Sequence, residues 1–144
     1  MAALTNEQSL MREQAKAWAS KQAPVQKFRA MRDSGIEQRF DSQTWSDIIQ
    51  MGWTGILISE EYGGSDLDYL TFGLVLEELG RHLTASPLFA SALVGATALN
   101  IAGSDQQKEA LLPKIVDGSE ILTLAIDESN RHAPTEVALT AQAT

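Results

Sequence analysis

The chain has 144 residues, of which 44% are hydrophobic, and this suits one globular domain with a real core. Its 11 basic and 19 acidic residues give a net charge of −8, which excludes the clustered basic surface that nucleic acid binding needs. The absence of cysteine excludes disulfides, thiolate catalysis and zinc–sulfur sites. The first residues, MAALTNEQSLMREQ, are polar and include acids, unlike a secretory signal, so we expect a cytoplasmic protein.

One apolar stretch raises the question of a membrane span. No Lys, Arg, Asp or Glu occurs from residue 82 to 104. Its apolar part, LFASALVGATALNIA, is shorter than the roughly 20 residues that cross a bilayer. The stretch therefore predicts a buried helix and no membrane span.

The first half of the chain predicts three helices. Thr5 and Gln8 form a capping box at the start of the first, and Pro24 suits the first turn of the second, which should end near Gly35. Asp41 can cap the third helix, with Gly52 at its end. Its inward face should carry Trp45, Ile48 and Ile49, and we expect the three tryptophans of the chain to be core residues.

Three more helices follow a short connector. The apolar run 56–58 predicts a buried extended connector, and the sequence ISEEYGG after it predicts a corner with solvated acids. A fourth helix is predicted for residues 68–83, with Glu77 and Glu78 on a solvated edge. A fifth should run from a Ser86-Pro87 start to Gly103. Ser104 should cap a sixth, which Pro113 should kink or shorten.

The pattern changes after residue 120. ILTLAI, from residue 121 to 126, is β-prone, and residues 137–144 alternate between apolar and polar side chains as a strand does. An isolated strand pair is marginal in water. We therefore expect a mainly α fold: an orthogonal bundle of about six helices over residues 1–120, followed by the first strands of a truncated β domain over residues 121–144.

No pattern in the chain predicts a catalytic centre or a metal site. Glu60 and Glu61 are adjacent, so their side chains should point apart rather than converge on one substrate. His82 and His132 lie far apart, and neither belongs to a nucleophile triad or an HExxH pattern. The fifth helix carries small residues, and these allow either close backbone packing or an apolar groove.

Three linked stretches nevertheless resemble one family. MGWTGILISEEYGGSDLDYLTFGLVLEELGR, from residue 51 to 81, is similar to the N-terminal domain of the acyl-CoA dehydrogenases, although Ser59 stands where the family usually has proline. IAGSDQQKEALLPKIVDGS resembles the segment that follows there, and ILTLAIDES lies where that family begins its middle β domain. The resemblance covers nearly the whole chain in the right order.

The resemblance implies an FAD enzyme that removes two hydrogens across Cα–Cβ of an acyl-CoA thioester. Its glutamate base lies late in the family's chain, so no catalytic residue is expected here, and the flavin lies between the middle and C-terminal domains. The fourth and fifth helices wall the acyl pocket in the family, which assigns substrate contacts to Ser91, Ala92, Val94 and Gly95. Homo- or hetero-oligomers with other dehydrogenase subunits, and an electron-transfer flavoprotein as partner, are also implied.

One segment departs from the family pattern. The family's T-E-P-x-x-G-S-D segment, which holds flavin and substrate, reads DESNRHAP here, so Asp127 and Glu128 take the cofactor-binding positions and only Glu128 is kept. The Asp127 carboxylate would be unfavourable near an anionic reduced flavin. Three interpretations follow: the N-terminal part of a flavin enzyme, a non-catalytic subunit of an assembly with a flavin-bearing partner, or an unrelated helical interaction module.

Overall fold

The computed structural model describes residues 3–35 and 37–142. Within these residues the fold is mainly α, with six α-helices, as the sequence predicted. They are α1 (Asn6–Gln22), α2 (Val25–Asp33), α3 (Ser42–Gln50), α4 (Tyr69–Arg81), α5 (Ala96–Ala102) and α6 (Asp105–Val116). Two single 3₁₀ turns lie between α3 and α4, and a π-helical segment, Phe89–Gly95, leads directly into α5.

Local side-chain caps begin four of the helices. Thr5 and Gln8 form the predicted capping box on α1, and Ser104 forms another with Gln107 on α6. Asp41 accepts a hydrogen bond from the backbone N–H of Thr44, and Asp68 caps α4 in the same way through Thr71. These caps satisfy N–H groups that have no partner inside the helix.

The core lies where α1, α3, α4 and α6 meet the connector between α3 and α4. Trp53 is fully buried and packs edge to face against Trp18, with ring centroids 5.3 Å apart. The predicted inward face of α3 is confirmed for Trp45 and Ile48, which are buried, whereas Ile49 is only half-buried. The other fully buried large side chains come from several elements: Ile56, Ile58, Phe72, Val75, Leu88, Leu112 and Ile115.

The connector between α3 and α4 is turned rather than extended. Trp53–Gly55 and Glu60–Tyr62 are 3₁₀ turns, and Ile56 between them has helical backbone angles, so the prediction of an extended connector is wrong. The chain turns because residues 65–67 come back over it, donating backbone hydrogen bonds to the carbonyls of residues 55–58. The corner predicted for ISEEYGG is confirmed, and Gly63, at φ +86°, completes it.

The fifth helix begins at Leu88, directly after the predicted Ser86-Pro87 start. Its π-helical segment starts at Phe89, and no side chain caps it. The first turn instead uses the carbonyl of Pro87, which accepts a hydrogen bond from the N–H of Ser91 at 2.9 Å. Tyr69 and Thr97 then join the start of α4 to α5 through their hydroxyl groups, which are 3.1 Å apart.

Pro113 does not shorten α6, which continues to Val116. A proline in a helix removes one N–H, so the carbonyl four residues earlier loses its intrahelical donor. That residue is Glu109, which is exposed, and water can satisfy its carbonyl. Gly118, at φ +72°, lies just beyond the helix end as predicted.

No strand occurs among the described residues from 121 to 142, so the strands predicted there are wrong for this part of the chain. Alternating side chains give a strand one apolar face, but a strand also needs a neighbour to accept its backbone hydrogen bonds. No such neighbour lies beside this segment within the described residues. Ala143 and Thr144, the end of the predicted second strand, lie outside the described residues.

The apolar stretch that raised the membrane question is divided between the π-helical segment and α5. Among residues 3–35 and 37–142, no helix combines the length and the apolarity that a membrane span requires.

Candidate functional site

The four residues predicted to wall an acyl pocket lie together on the π-helical segment. Ser91, Ala92 and Gly95 are buried, and Val94 is half-buried. The segment is wound more widely than an α-helix, because the N–H of Ala96 reaches back to the carbonyl of Ser91. π-helical turns are uncommon and occur frequently at functional sites. The structure therefore brings the predicted wall residues into one short, unusually wound element.

This small-residue surface is covered by the chain that leaves α6. The backbone N–H of Leu122 donates a hydrogen bond to Oγ of Ser91 at 3.2 Å. A Cβ atom placed on Gly95 would lie 2.8 Å from Cβ of Leu122, which is closer than two carbon atoms pack. Of the two explanations for these small residues, close backbone packing is thus present here. The contact with Leu122 was not predicted, because the sequence shows Leu122 only as one residue of an apolar run.

Asp127 and Glu128, the two predicted cofactor-binding residues, contact other parts of their own segment. Oδ1 of Asp127 lies 3.0 Å from Nδ1 of His132. Oε2 of Glu128 accepts hydrogen bonds from the N–H groups of Ala138 and Leu139, at 2.8 and 3.1 Å. Both carboxylates are hydrogen-bond acceptors, and in this arrangement neither offers a donor to a flavin carbonyl. These two residues therefore do not fit a flavin carbonyl in this arrangement.

A buried charge joins α1 to α4. The Glu78 side chain is 3% exposed, and its Oε1 accepts a hydrogen bond from Nε of Arg12 at 3.0 Å. Nε of Arg81 lies 3.6 Å from its other oxygen, so two guanidinium groups compensate one carboxylate. The prediction of a solvated edge holds for exposed Glu77 and is wrong for Glu78. No local signal reveals this, since Arg12 lies 66 residues away in the sequence.

A second charged cluster joins α2 to the start of α3. Nζ of Lys27 lies 2.9 Å from Oδ2 of Asp41 and donates a hydrogen bond to Oγ1 of Thr44 at 3.0 Å. The hydrogen bonds from Lys27 and then from Thr44 lower the pKa of Asp41 to about 2. Lys27 and Asp41 also line a groove with Phe28 and Met31. The charge pair thus joins two helices beside a groove of mixed apolar and polar residues.

The remaining polar residues that could carry chemistry do not converge. Glu60 and Glu61 are exposed on their turn, and His82 and His132 lie on different segments. Tyr62 is half-buried, and its pKa is raised by burial and then by the neighbouring Glu61 carboxylate. Among the residues that the structure describes, no group of three or more His, Cys, Asp or Glu side chains is placed to bind a metal ion.

An exposed groove runs between α1 and the segment that precedes α4. Its apolar residues are Leu10, Met11 and Leu67, and Leu10 is 57% exposed. Its acidic residues are Glu7, Asp66 and Asp68. Exposed apolar side chains beside acidic ones form a surface that a protein partner can cover.

Comparison with known proteins places this geometry in a family. The model of the acyl-CoA dehydrogenase N-terminal domain matches residues 5–119. A probable acyl-CoA dehydrogenase of Bacillus subtilis, YngJ, is 31% identical over 131 residues, which are 88% of this chain and 33% of the relative. The chain therefore spans about a third of the length of this curated relative.

Solved structures agree with the sequence matches. A Tcur3481-Tcur3483 steroid acyl-CoA dehydrogenase variant is 34% identical and superposes with a TM-score of 0.75 over 85% of this chain and 33% of the other. The ChsE4-ChsE5 complex of Mycobacterium tuberculosis is 26% identical, with a TM-score of 0.80 over 92% and 36%. On these matches, the chain belongs to the acyl-CoA dehydrogenase family and contains that family's N-terminal helical domain.

Proposed function

We propose that this chain is the N-terminal part of a flavin-dependent enzyme that removes two hydrogens across Cα–Cβ of an acyl-CoA thioester. Family membership and the match over residues 5–119 support this activity. Hydride removal needs an acceptor cofactor, and removal of the α-proton needs a positioned base. The predicted division into a helical domain (1–120) and the start of a β domain (121–144) belongs to the same proposal. In this proposal, the catalytic base and the flavin site lie outside the described helices.

The contribution of this chain is a wall of the acyl pocket. The observation that carries this proposal is the burial of Ser91, Ala92 and Gly95, with half-buried Val94, on one π-helical segment. Small side chains there allow a close approach to the backbone, by the segment of Leu122 in this structure and by an acyl group in the proposed enzyme. A pocket wall of this kind acts on specificity, because it determines how many carbons of the acyl group fit.

Substitution of the wall tests this role. In the complete enzyme, Ala92→Phe or Gly95→Phe should shift the preference, measured as kcat/KM over a series of acyl-CoAs, toward shorter acyl groups. Ile101→Phe is the matched control, because Ile101 is 81% exposed on α5. Folding of each variant is checked by its flavin content and Tm. An unchanged preference in a folded Ala92→Phe enzyme would remove the wall proposal.

The activity itself is tested on the protein assembled in its source cells. The chain serves as bait, and the absorption spectrum of the eluate is recorded together with the masses of the co-eluting proteins. We expect flavin bands, and dehydrogenation of acyl-CoA with an artificial electron acceptor. A colourless eluate without a larger companion would contradict the enzyme proposal and leave a free helical domain.

A second candidate function is a non-catalytic subunit that assembles with a flavin-bearing partner. It is favoured by the engagement of Asp127 and Glu128 with their own segment, in which neither carboxylate offers a donor to a flavin. One structural relative, ChsE4-ChsE5, is a complex. The masses in the same eluate separate the two candidates: flavin on a separate polypeptide favours the subunit, and flavin on a longer form of this chain favours the enzyme.

Assembly is the other part of the proposed role. The groove between α1 and α4, with Leu10 and Leu67 beside Glu7 and Asp66, supports a surface for dehydrogenase subunits or an electron-transfer flavoprotein. We place this assembly in the cytoplasm, which cell fractionation tests. Leu10→Glu should weaken assembly without affecting the folding of the chain, because the Leu10 side chain is more than half exposed.

A further inference from the structure

The second helix, α2, takes no part in the buried core. No residue of α2 is buried, whereas α3, which has the same length of nine residues, buries three of its residues. Among the described residues, the half-buried apolar side chains that pack against the core come from elsewhere in the chain. Phe28 and Met31 of α2 instead line a groove of about 280 Å³ that residues 82–85 border from the other side. Closely packed surfaces interdigitate and leave almost no such space, so the apolar face of α2 is only loosely packed.

One charged side chain joins α2 to the start of α3. Nζ of Lys27 lies 2.9 Å from Oδ2 of Asp41 and donates a hydrogen bond to Oγ1 of Thr44 at 3.0 Å. Within the part of the chain that the structure describes, Lys27 is the one residue of α2 whose side chain forms a hydrogen bond or ion pair with another element. The Lys27 and Asp41 side chains are 38% and 39% exposed, so water competes with their contact and limits its strength.

α2 also has little stability as a helix on its own. It is preceded by Pro24, which forms no side-chain cap, unlike the residues that begin α1, α3, α4 and α6. Helices shorter than about 12–15 residues are marginal in water, because few hydrogen bonds offset the cost of nucleation. An α2 that leaves the bundle should therefore unfold as well. The core does not depend on it, since α1, α3, α4 and α6 bury their apolar residues against one another and against the connector.

We propose that α2 is a lid that opens from the helical bundle as one unit while the core stays folded, and that the contact of Lys27 with Asp41 and Thr44 holds it closed. Opening uncovers the groove beside residues 82–85 and exposes Phe28 and Met31 to water. Local opening of this kind costs less free energy than global unfolding, because it exposes little apolar surface. The inference goes beyond the proposed function, since this movement needs neither flavin nor substrate.

Hydrogen exchange of the full chain in its assembly, followed by mass spectrometry at neutral pH, tests the lid. We expect the amides of α2 to have protection factors about a hundredfold or more below those of α1 and α4. Low urea concentrations should leave exchange in α2 almost unchanged and accelerate exchange in α1 and α4, because global unfolding exposes far more surface. Equal protection factors with equal urea dependence in all three helices would overturn the inference.

Ile115→Val separates local opening from global unfolding. Ile115 is 1% exposed in the core, and the loss of one methylene there lowers the stability of the whole domain. The substitution should accelerate exchange in α1 and α4 by about two- to tenfold and leave exchange in α2 unchanged. An equal acceleration of α2 would mean that its amides exchange only when the domain unfolds, and the lid would be excluded.

Lys27→Met tests the contact that holds the lid closed. Methionine has nearly the helix propensity of lysine, so the variant loses the ion pair and the hydrogen bond without weakening the helix itself. We expect the protection factors of α2 to fall by about five- to tenfold. Arg29→Met is the matched control, because Arg29 is exposed on the same helix and its loss removes an equal charge. Equal protection of α2 in the two variants would show that Lys27 does not hold the lid, and would overturn the proposal.

Discussion

Nε of Arg12, on α1, donates a hydrogen bond to Oε1 of Glu78, on α4, at 3.0 Å, and the Glu78 side chain is almost fully buried. The pair joins two helices that are far apart in sequence and packed along each other. Burying a carboxylate is unfavourable unless its charge is compensated. The pKa of the Arg12 guanidinium is raised, because it donates this hydrogen bond and lies near the Glu77 and Glu78 carboxylates. The loss of stability on substitution should therefore depend on which member of the pair is replaced.

We expect Arg12→Met to destabilise the protein more than Glu78→Leu. The first change leaves a buried carboxylate with only Arg81, at 3.6 Å, and should lower the urea midpoint by about 1 M. The second leaves a guanidinium that is 41% exposed and can turn to water. Urea unfolding of the two single variants and the double variant at neutral pH measures this order. A larger loss in Glu78→Leu would show that packing, not charge compensation, dominates at this contact.

The sequence predicted the local features of the fold better than the distant contacts. The capping box of Thr5 with Gln8 and the cap at Asp41 were found because the partner atoms lie within a few residues. Glu78 and Glu77 look alike in a helical pattern, and only the position of Arg12 decides which one is buried. A prediction that depends on a single helix cannot contain this information.

The same limit explains the errors after α6 and in the candidate site. Alternating side chains at 137–144 predicted a strand, which is wrong for the described residues, because that part of the segment has no neighbour with which to form a ladder. The small residues around Ser91 were recognised, whereas their π-helical winding and the contact of Gly95 with Leu122 were not. Neither a wider helical turn nor a contact between residues that are distant in sequence produces a periodic pattern of side chains.

The contribution of Asp41 to the stability of the folded protein should depend on pH. The pKa of Asp41 is about 2 in the folded protein, against an ordinary value of 3.8, chiefly because Lys27 and Thr44 bind its charged form. A lowered pKa stabilises the folded state above about pH 4, and this contribution disappears as the pH falls through about 2. Because the Asp41 side chain is 39% exposed, solvent screening reduces its contribution to the free energy of unfolding to about 1 kcal/mol.

Asp41→Asn is the informative variant, because asparagine still caps the helix but carries no charge for Lys27. The free energy of unfolding is measured by urea titration at intervals from about pH 2 to pH 6. We expect the wild type to exceed the variant by about 1 kcal/mol at the upper end, with the difference vanishing at the lower end. A difference that is independent of pH would mean that Asp41 acts through its cap alone.

Gly64 and Gly73 should respond in opposite directions to substitution by alanine. Gly64 lies so close to the carbonyl of Ile58 that a Cβ would overlap the backbone, and we expect Gly64→Ala to cost about 3 kcal/mol. Gly73 lies within α4 with no atom near its added Cβ. Gly73→Ala should stabilise the helix by about 0.5–1 kcal/mol. Thermal and urea unfolding of both variants check the two signs, and a stabilised Gly64→Ala would contradict the turn described for residues 55–67.

The contact between Gly95 and Leu122 gives a prediction that depends on a single atom. Gly95→Ala places a Cβ 2.8 Å from Cβ of Leu122, and overpacking of this kind generally costs about 1–3 kcal/mol. The cost should remain in a Leu122→Ala background, since alanine keeps the opposing Cβ. It should largely vanish in a Leu122→Gly background, where that atom is absent. The two backgrounds differ by one carbon atom at position 122.

The measurement is a pair of double-mutant cycles on the free energy of unfolding. We expect a coupling energy of about 1–3 kcal/mol between Gly95→Ala and Leu122→Gly, and a coupling near zero between Gly95→Ala and Leu122→Ala. Leu124→Gly provides the control for backbone freedom, because it adds a glycine to the same segment without removing the contact. Equal coupling with Leu122→Gly and Leu124→Gly would mean that flexibility, and not the Cβ contact, relieves the strain. The close approach of the segment to Gly95 would then no longer explain why the π-helical wall is built from small residues.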